Sequence, residues 1–263
     1  MRKIFFIIPA YNEAENIPLL VESIDSKMKK MDLSYTIVIV NDGSTDGTKE
    51  LVESYEGRFP IVLINHPKNK NVGEVFRSGF KYVLERSSPG DVVITKEADN
   101  TSDISIMPAM LERIDKGCDV VLASCYAKGG GIESTTIGRL ILSSTANRIL
   151  RSFFPINGVR TYSSFYRAYK AVSLKRAFFA YENKLIEENG FVCMVEMLIK
   201  LSRLPIRIEE VPMVLRCDLR KGKSKMNKSQ TIFAYFYLVM KEFKSIFVKR
   251  PDVAGRYKNL TMK

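Results

Sequence analysis

Before residue 97 the chain repeats one pattern three times: a short apolar run, a polar loop, then apolar residues at helical spacing. Ile4 to Ile8 is stopped by Pro9, and Ile17, Leu20, Val21 and Ile24 follow the loop Ala10 to Asn16 at the spacing of one helix face. Tyr35 to Val40 leads through Asn41 to Gly47 into a helix over Thr48 to Tyr55. Ile61 to Ile64 is a third strand, and Asn71 and Gly73 begin a helix reaching Glu85. Strand-helix-strand crossovers in one sheet are right-handed, so the pattern predicts a mostly parallel central sheet flanked by helices. Its loops open on one edge, where open α/β proteins keep their ligand crevices.

The fourth strand, Val92 to Ile94, ends on that edge with Glu97 and Asp99 two residues apart. Side chains at i and i+2 of an extended segment lie on one side, so the two carboxylates can hold a hard divalent cation whose other positions go to phosphate oxygens. A plainer reading makes this an acidic turn in which Asn100 and Asp103 cap the next helix. The loop Asn41 to Gly47 carries two glycines and several hydroxyl or carboxylate residues at a helix start, a shape that admits a nucleotide. It is neither a Walker loop nor a GxGxxG fingerprint. Asp42, at the strand end, suits a base or ribose contact, or equally a well-capped turn.

Length and charge narrow the class. The 263 residues suffice for one α/β core with appendages, and the net charge of +12 calls for an anionic partner or surface. The excess gathers toward the C-terminus, over Arg216 to Lys228 and Lys241 to Lys263. No aromatic residues interleave Arg216 to Lys228 and no nucleic-acid-binding motif is present, so no nucleic acid is expected. The longest apolar run, Ile232 to Met240, is about half of the roughly 20 residues a membrane span needs, and Met1 leads straight into a strand. Four cysteines without a CxxC pair fit free thiols in a cytoplasmic protein. The lone His66 has no cysteine or histidine companion and receives no catalytic role.

The combination Ile8-Pro9-Ala10-Tyr11-Asn12-Glu13, Val40-Asn41-Asp42-Gly43-Ser44-Thr45-Asp46 and the acidic strand end near residue 97 resembles the family 2 glycosyltransferases, which have the GT-A fold. The resemblance spans roughly residues 3 to 230. It implies that Pro9, Tyr11, Glu13, Asp42 and Gly43 contact a nucleotide sugar. It also places Glu97-Ala98-Asp99 at the family's Asp-x-Asp motif, so Glu97 and Asp99 would bind Mg²⁺ or Mn²⁺, with Glu97 where Asp is usual. Downstream, the glycine-rich loop Ser124 to Gly131 and the helix carrying Arg139 and Ser143 are similar to the acceptor side of dolichyl- and polyprenyl-phosphate sugar transferases. Those enzymes have an Arg where this chain has Cys125, and Lys128 is the nearby cation assigned in its place. Arg216 to Met226 matches the family's Arg-x-x-Gly-x-Ser-Lys loop, so Arg220 and Lys225 would close on phosphates.

The implied activity is that of a metal-dependent inverting transferase that moves a hexose from a nucleotide diphosphate sugar, GDP-mannose first and a UDP-sugar second, to a polyprenyl phosphate. A phosphate acceptor is ionised near neutrality and needs no general base, whereas a sugar hydroxyl would need one of Glu187, Glu188 and Glu196. The chain has no Trp and no Gln-x-x-Arg-Trp, which excludes the processive polysaccharide synthases. Residues 1–230 form the transferase domain in this reading, and residues 231–263 an amphipathic helix and basic tail. Ile232, Phe236, Val239, Phe243 and Phe247 give that helix an apolar stripe for the inner membrane face, for a membrane-anchored partner or a second copy of the chain, or equally for packing on the sheet. The alternatives are a transferase for a soluble hydroxyl acceptor and a catalytically inactive binding protein.

Overall fold

Strands and helices alternate through the first half of the chain as the apolar pattern predicts. The computed structural model describes residues 2–222, 228–247 and 252–259. In order come β1 (Lys3–Ala10), α1 (Ile17–Lys30), β2 (Ser34–Asn41), α2 (Thr48–Glu53), β3 (Ile61–Asn65), α3 (Asn71–Arg86), β4 (Val92–Thr95), α4 (Met107–Asp115) and β5 (Val120–Ser124). The second half runs β6 (Gly131–Glu133), α5 (Ile137–Phe153), β7 (Arg167–Lys170), α6 (Ala171–Ala180), α7 (Cys193–Leu201), β8 (Ile208–Pro212), β9 (Val214–Arg216), α8 (Lys228–Phe247) and α9 (Val253–Asn259).

The central sheet has the order β3-β2-β1-β4-β7-β5-β8. All neighbours are parallel except β7, which runs antiparallel between β4 and β5. β8 takes the edge with Pro212 at its end, a place where a missing N–H does no harm. β6 and β9 pair separately.

Pleating divides the core between the two faces of the sheet. On β1, Ile4, Phe6 and Ile8 pack with Ile17, Leu20, Val21, Ile24 and Met28 of α1 and with α4. Phe5 and Ile7 point the other way, toward α3, α6 and α7. Burial of both faces is what the unbroken apolar strand sequences require.

The C-terminal stretch is more structured than a tail. α8 seats Leu238 and Val239 in the core against α5 and α7, and α9 packs on α6 with Tyr257 buried and Arg256 paired to Glu182. Of the apolar stripe left open between membrane and sheet, Val239 takes the core side. No helix among the described residues is long and apolar enough to cross a membrane.

Candidate active site

Parallel register brings the ends of β1, β2 and β4 together. Ala10 lies beside Asn41, and Ile7 beside Thr95, so the loops leaving these strands share one edge of the sheet. The first two loops are bonded to each other. Asn12 N–H donates to Ser44 Oγ at 2.8 Å, Glu13 N–H to Thr48 Oγ1 at 3.0 Å, and Thr45 N–H to Asn12 Oδ1 at 2.8 Å. Asn12 takes a left-handed conformation with φ of 54°, which its short amide tolerates.

Asp42 is buried at the start of the second loop. Its Oδ1 accepts from His66 Nδ1 at 2.8 Å and from Lys70 N–H at 2.9 Å. Gly43 is required by close packing: its φ is +70°, and a Cβ there would meet the Lys68 carbonyl carbon at 2.6 Å. Gly43 thus serves the approach of the residue 68–70 loop and is absent from the cavity wall described next.

A cavity of about 760 Å³ opens over this edge. Of the residues assigned from sequence, Pro9, Tyr11, Glu13, Asp42, Glu97, Asp99, Arg139, Ser143 and Arg220 all line it. Lys128 is exposed and is not on its wall, and Lys225 lies outside the described residues.

Glu97 and Asp99 have opposite electrostatic environments. Asp99 Oδ1 accepts from Thr101 N–H at 3.1 Å and Thr101 Oγ1 at 2.7 Å, while Oδ2 accepts from Arg220 Nε at 2.8 Å. Burial alone would raise the Asp99 carboxyl, but the Arg220 charge and the Thr101 donors outweigh it and hold Asp99 below the usual carboxylate range. Glu97 accepts from Ser102 Oγ at 3.2 Å and Phe165 N–H at 3.3 Å, and burial, reinforced by Asp99, pushes its carboxyl up. The preceding Lys96 is 1% exposed, its Nζ 5.6 Å from the Tyr166 ring centroid, and burial pulls its ammonium down. The two carboxylates offer hard oxygen ligands beside a space able to take a diphosphate, a donor set that fits Mg²⁺ or Mn²⁺ completed by ligand oxygens. Among the described residues no group of three or more His, Cys, Asp or Glu converges to hold a metal by protein atoms alone.

The segment carrying Arg220 is anchored from α1's side of the site. Asn16, 2% exposed, donates its amide to the Lys221 carbonyl at 3.1 Å and accepts from Lys221 N–H at 3.1 Å. Sequence reasoning passed over Asn16 because this contact spans more than two hundred residues. His66, given no catalytic role for want of a cysteine or histidine companion, has an aspartate beside it instead: Asn41 and Asn65 are in register, which makes positions 42 and 66 neighbours.

Beyond the carboxylates the cavity turns apolar. Leu140, Ile149 and Phe153 of α5 face Ile232, Phe236 and Met240 of α8 across it. Ser143 accepts a bond from Tyr126 Oη at 2.8 Å. The carboxylates considered as bases are engaged elsewhere: Glu196 is fully buried, accepts from Lys200 Nζ at 2.8 Å and from the N–H groups of Glu187 and Glu188, and none of the three lines the cavity.

Comparison with known proteins gives this geometry its family. The profile described as Glycosyl transferase family 2 matches residues 5–178. The chain belongs to that family. A dolichol-phosphate mannosyltransferase of Pyrococcus furiosus is 32% identical over 91% of this chain, which spans 64% of the relative's length. An undecaprenyl-phosphate mannosyltransferase of Micrococcus luteus is 29% identical over 86% of this chain and 88% of its own. Glucosyl-3-phosphoglycerate synthase from Mycobacterium tuberculosis, solved with Mn²⁺, UDP and phosphoglyceric acid, superposes with a TM-score of 0.62 at 16% identity, covering 95% of this chain and 80% of its own. The likeness identifies the fold as GT-A, as the motifs implied.

Proposed function

We propose that this family 2 chain is a metal-dependent inverting glycosyltransferase that moves a hexose from a nucleoside diphosphate sugar to a polyprenyl phosphate at a membrane surface. The observation that carries this reading is the continuity of one cavity from the nucleotide-loop residues, past Glu97 and Asp99, into the apolar seam between α5 and α8. A nucleotide sugar suits the polar end, and an isoprenoid chain suits the seam. Two relatives carry the name of a dolichol- or undecaprenyl-phosphate mannosyltransferase, which supports mannose as the sugar moved; GDP-mannose is the first donor proposed and a UDP-sugar the second.

Tyr11, Glu13 and Asp42 bind and orient the nucleotide in this scheme, and Arg139 with Ser143 holds the acceptor phosphate on α5. Bound Mg²⁺ or Mn²⁺, held by Glu97 and Asp99, would supply Lewis-acid neutralisation of the leaving diphosphate. Arg220, already at Asp99, and Lys225 add cationic stabilisation of the same charge. No protein base is required for an acceptor already ionised, which agrees with the engagement of Glu187, Glu188 and Glu196 in ion pairs away from the cavity.

α5 and α8 expose eleven large apolar residues among those described, including Ile137, Phe233 and Phe236 at 77%, 74% and 68%, and we take them as one apolar face at the mouth of the seam. That face is the surface proposed to meet the inner leaflet, where a membrane-anchored partner or a second copy of the chain would compete for it. The deciding experiment is a transfer assay with GDP-mannose, UDP-glucose and UDP-N-acetylglucosamine, with and without Mg²⁺ or Mn²⁺, against polyprenyl phosphate and a soluble sugar acceptor. Transfer only to the soluble hydroxyl, or to nothing, would defeat the proposal.

A further inference from the structure

His66 stands outside the cavity wall and yet contacts a residue that forms it. β2 and β3 are parallel with Asn41 opposite Asn65, so the residues that follow each strand meet where the chain leaves the sheet. His66 N–H donates to the Asn41 carbonyl at 2.9 Å, which fixes its backbone beside Asp42. Its ring is 5% exposed and bonded at both nitrogens, Nδ1 to Asp42 Oδ1 at 2.8 Å and Nε2 to Ser78 Oγ of α3 at 2.9 Å. A carboxylate only accepts, so the Nδ1 proton is donated to Asp42, and in the neutral ring Nε2 is the acceptor for the Ser78 hydroxyl. The ring is therefore a strut between α3 and the carboxylate.

The strut constrains one oxygen of Asp42. Oδ1 receives both the imidazole and Lys70 N–H, at 2.9 Å, and among the described residues no donor reaches Oδ2. Two donors on a single oxygen stop rotation of the carboxylate and leave the other oxygen to a ligand in the cavity. We propose that His66 is a positioning residue for nucleobase recognition, locking Asp42 so that its Oδ2 accepts from a ring N–H of the donor's base. Uracil and guanine both present such a donor. The inference rests on the reading of this end of the cavity as the nucleotide site.

Calorimetric titration with UDP, GDP and base-free pyrophosphate, each with Mn²⁺, tests it alongside thermal unfolding. His66→Ala is expected to weaken the tighter nucleoside diphosphate about tenfold, the order of one well-placed hydrogen bond, while pyrophosphate binds as to the wild type. Donor KM should rise by a similar factor with kcat nearly constant. His66→Asn, whose amide reaches Asp42 much as Nδ1 does, should recover most of the loss, and Ser78→Ala should cost a smaller factor of about 2 to 3. These two variants also carry the test if His66→Ala does not fold. Equal loss of nucleoside diphosphate and pyrophosphate, or no loss of either, would overturn the positioning role while leaving the transferase reading intact. Failure of the wild type to bind any nucleoside diphosphate would overturn both.

Discussion

Arg220 Nε donates to Asp99 Oδ2 at 2.8 Å, and Thr101 occupies Oδ1 through its N–H and its hydroxyl. Both oxygens of this carboxylate are thus engaged within the chain, one of them by a cation standing where a divalent metal would draw on the same charge. In the proposed reaction Arg220 also meets the leaving diphosphate, so its release from Asp99 and its arrival on phosphate would be linked. Arg220→Ala is accordingly expected to raise Mn²⁺ affinity in the absence of donor by about tenfold, the order of one charge-assisted hydrogen bond, while transfer falls by about a hundredfold or more. Calorimetry with Mn²⁺ and a transfer assay on the same preparation measure the two effects. Asp99→Ala should abolish Mn²⁺ binding and transfer together.

Metal binding should also depend on pH through Glu97. Asp99 is held below the usual carboxylate range and stays ionised near neutrality, whereas burial pushes Glu97 up. A proton on Glu97 competes with the cation, so Mn²⁺ affinity should climb as pH rises through the raised Glu97 value. Titrations from about pH 5 to about pH 8 check this, and Glu97→Gln should flatten the profile as well as weaken binding.

The strand-loop-helix units were legible because each pairs a buried apolar run with a helix face of matching period, and Ile17, Leu20, Val21 and Ile24 do bury together. The convergence of Tyr11, Asp42, Glu97 and Asp99 followed from parallel topology, since parallel strands deliver their loops to one edge. Contacts whose partners are set by register or long-range packing stayed hidden. His66 meets Asp42 through the β2 and β3 register, Asn16 meets Lys221 across the length of the domain, and Gly43 clears the backbone of Lys68. α8 stayed open between core and interface because a helical stripe reads the same whether it faces core or solvent. Leu238 and Val239 are core, whereas Phe233 is solvent-exposed.

Burial of charge at the α7 and α8 junction gives a large stability effect. Lys200 is 2% exposed and pairs with Glu196, which is fully buried, and Lys241 of α8 reaches Glu188 at 2.8 Å. Glu196→Ala removes one of the two carboxylates that meet Lys200, the other being Glu187 at 2.6 Å, and the acceptor for the N–H groups of Glu187 and Glu188. The expected loss is about 2–4 kcal/mol, from two N–H groups left without their acceptor and a weaker counter-charge at Lys200. Denaturant unfolding measures it, and a loss under about 1 kcal/mol would mean that Glu187 alone suffices for Lys200.

Cys125 lies in the cavity wall, and burial pushes its thiol up to about 11. Near pH 8 almost none is thiolate, so alkylation should be on the order of a hundredfold slower than for a free cysteine, rising about tenfold per pH unit. Peptide mass spectrometry after timed iodoacetamide exposure follows the site. A neutral thiol here supplies no positive charge to an acceptor phosphate, and Cys125→Arg should lower acceptor KM if the side chain reaches the phosphate that Arg139 is proposed to hold.

The two sides of α8 should respond oppositely to substitution. Leu238 is fully buried, while Phe233 and Phe236 are mostly exposed, as are Ile137 and Ile141 of α5, the residues assigned to the proposed membrane face. An apolar face of this kind, on a basic chain, suits insertion at the boundary between headgroups and acyl chains. Phe233→Ser with Phe236→Ser removes exposed aromatic surface and little packing, so unfolding free energy should change by about 0.5 kcal/mol or less per site. The same double variant should be released from vesicles containing anionic lipid. Leu238→Ala should do the reverse, costing about 2–5 kcal/mol through the cavity it leaves while retaining vesicle binding under conditions where it folds. Phe243 is a poorer probe, because its ring meets Phe153 edge-on with centroids 5.6 Å apart and the two effects would mix. Vesicle flotation run beside thermal unfolding separates the cases: a wild type that does not float, or a double variant that floats equally well, removes the membrane role from this face.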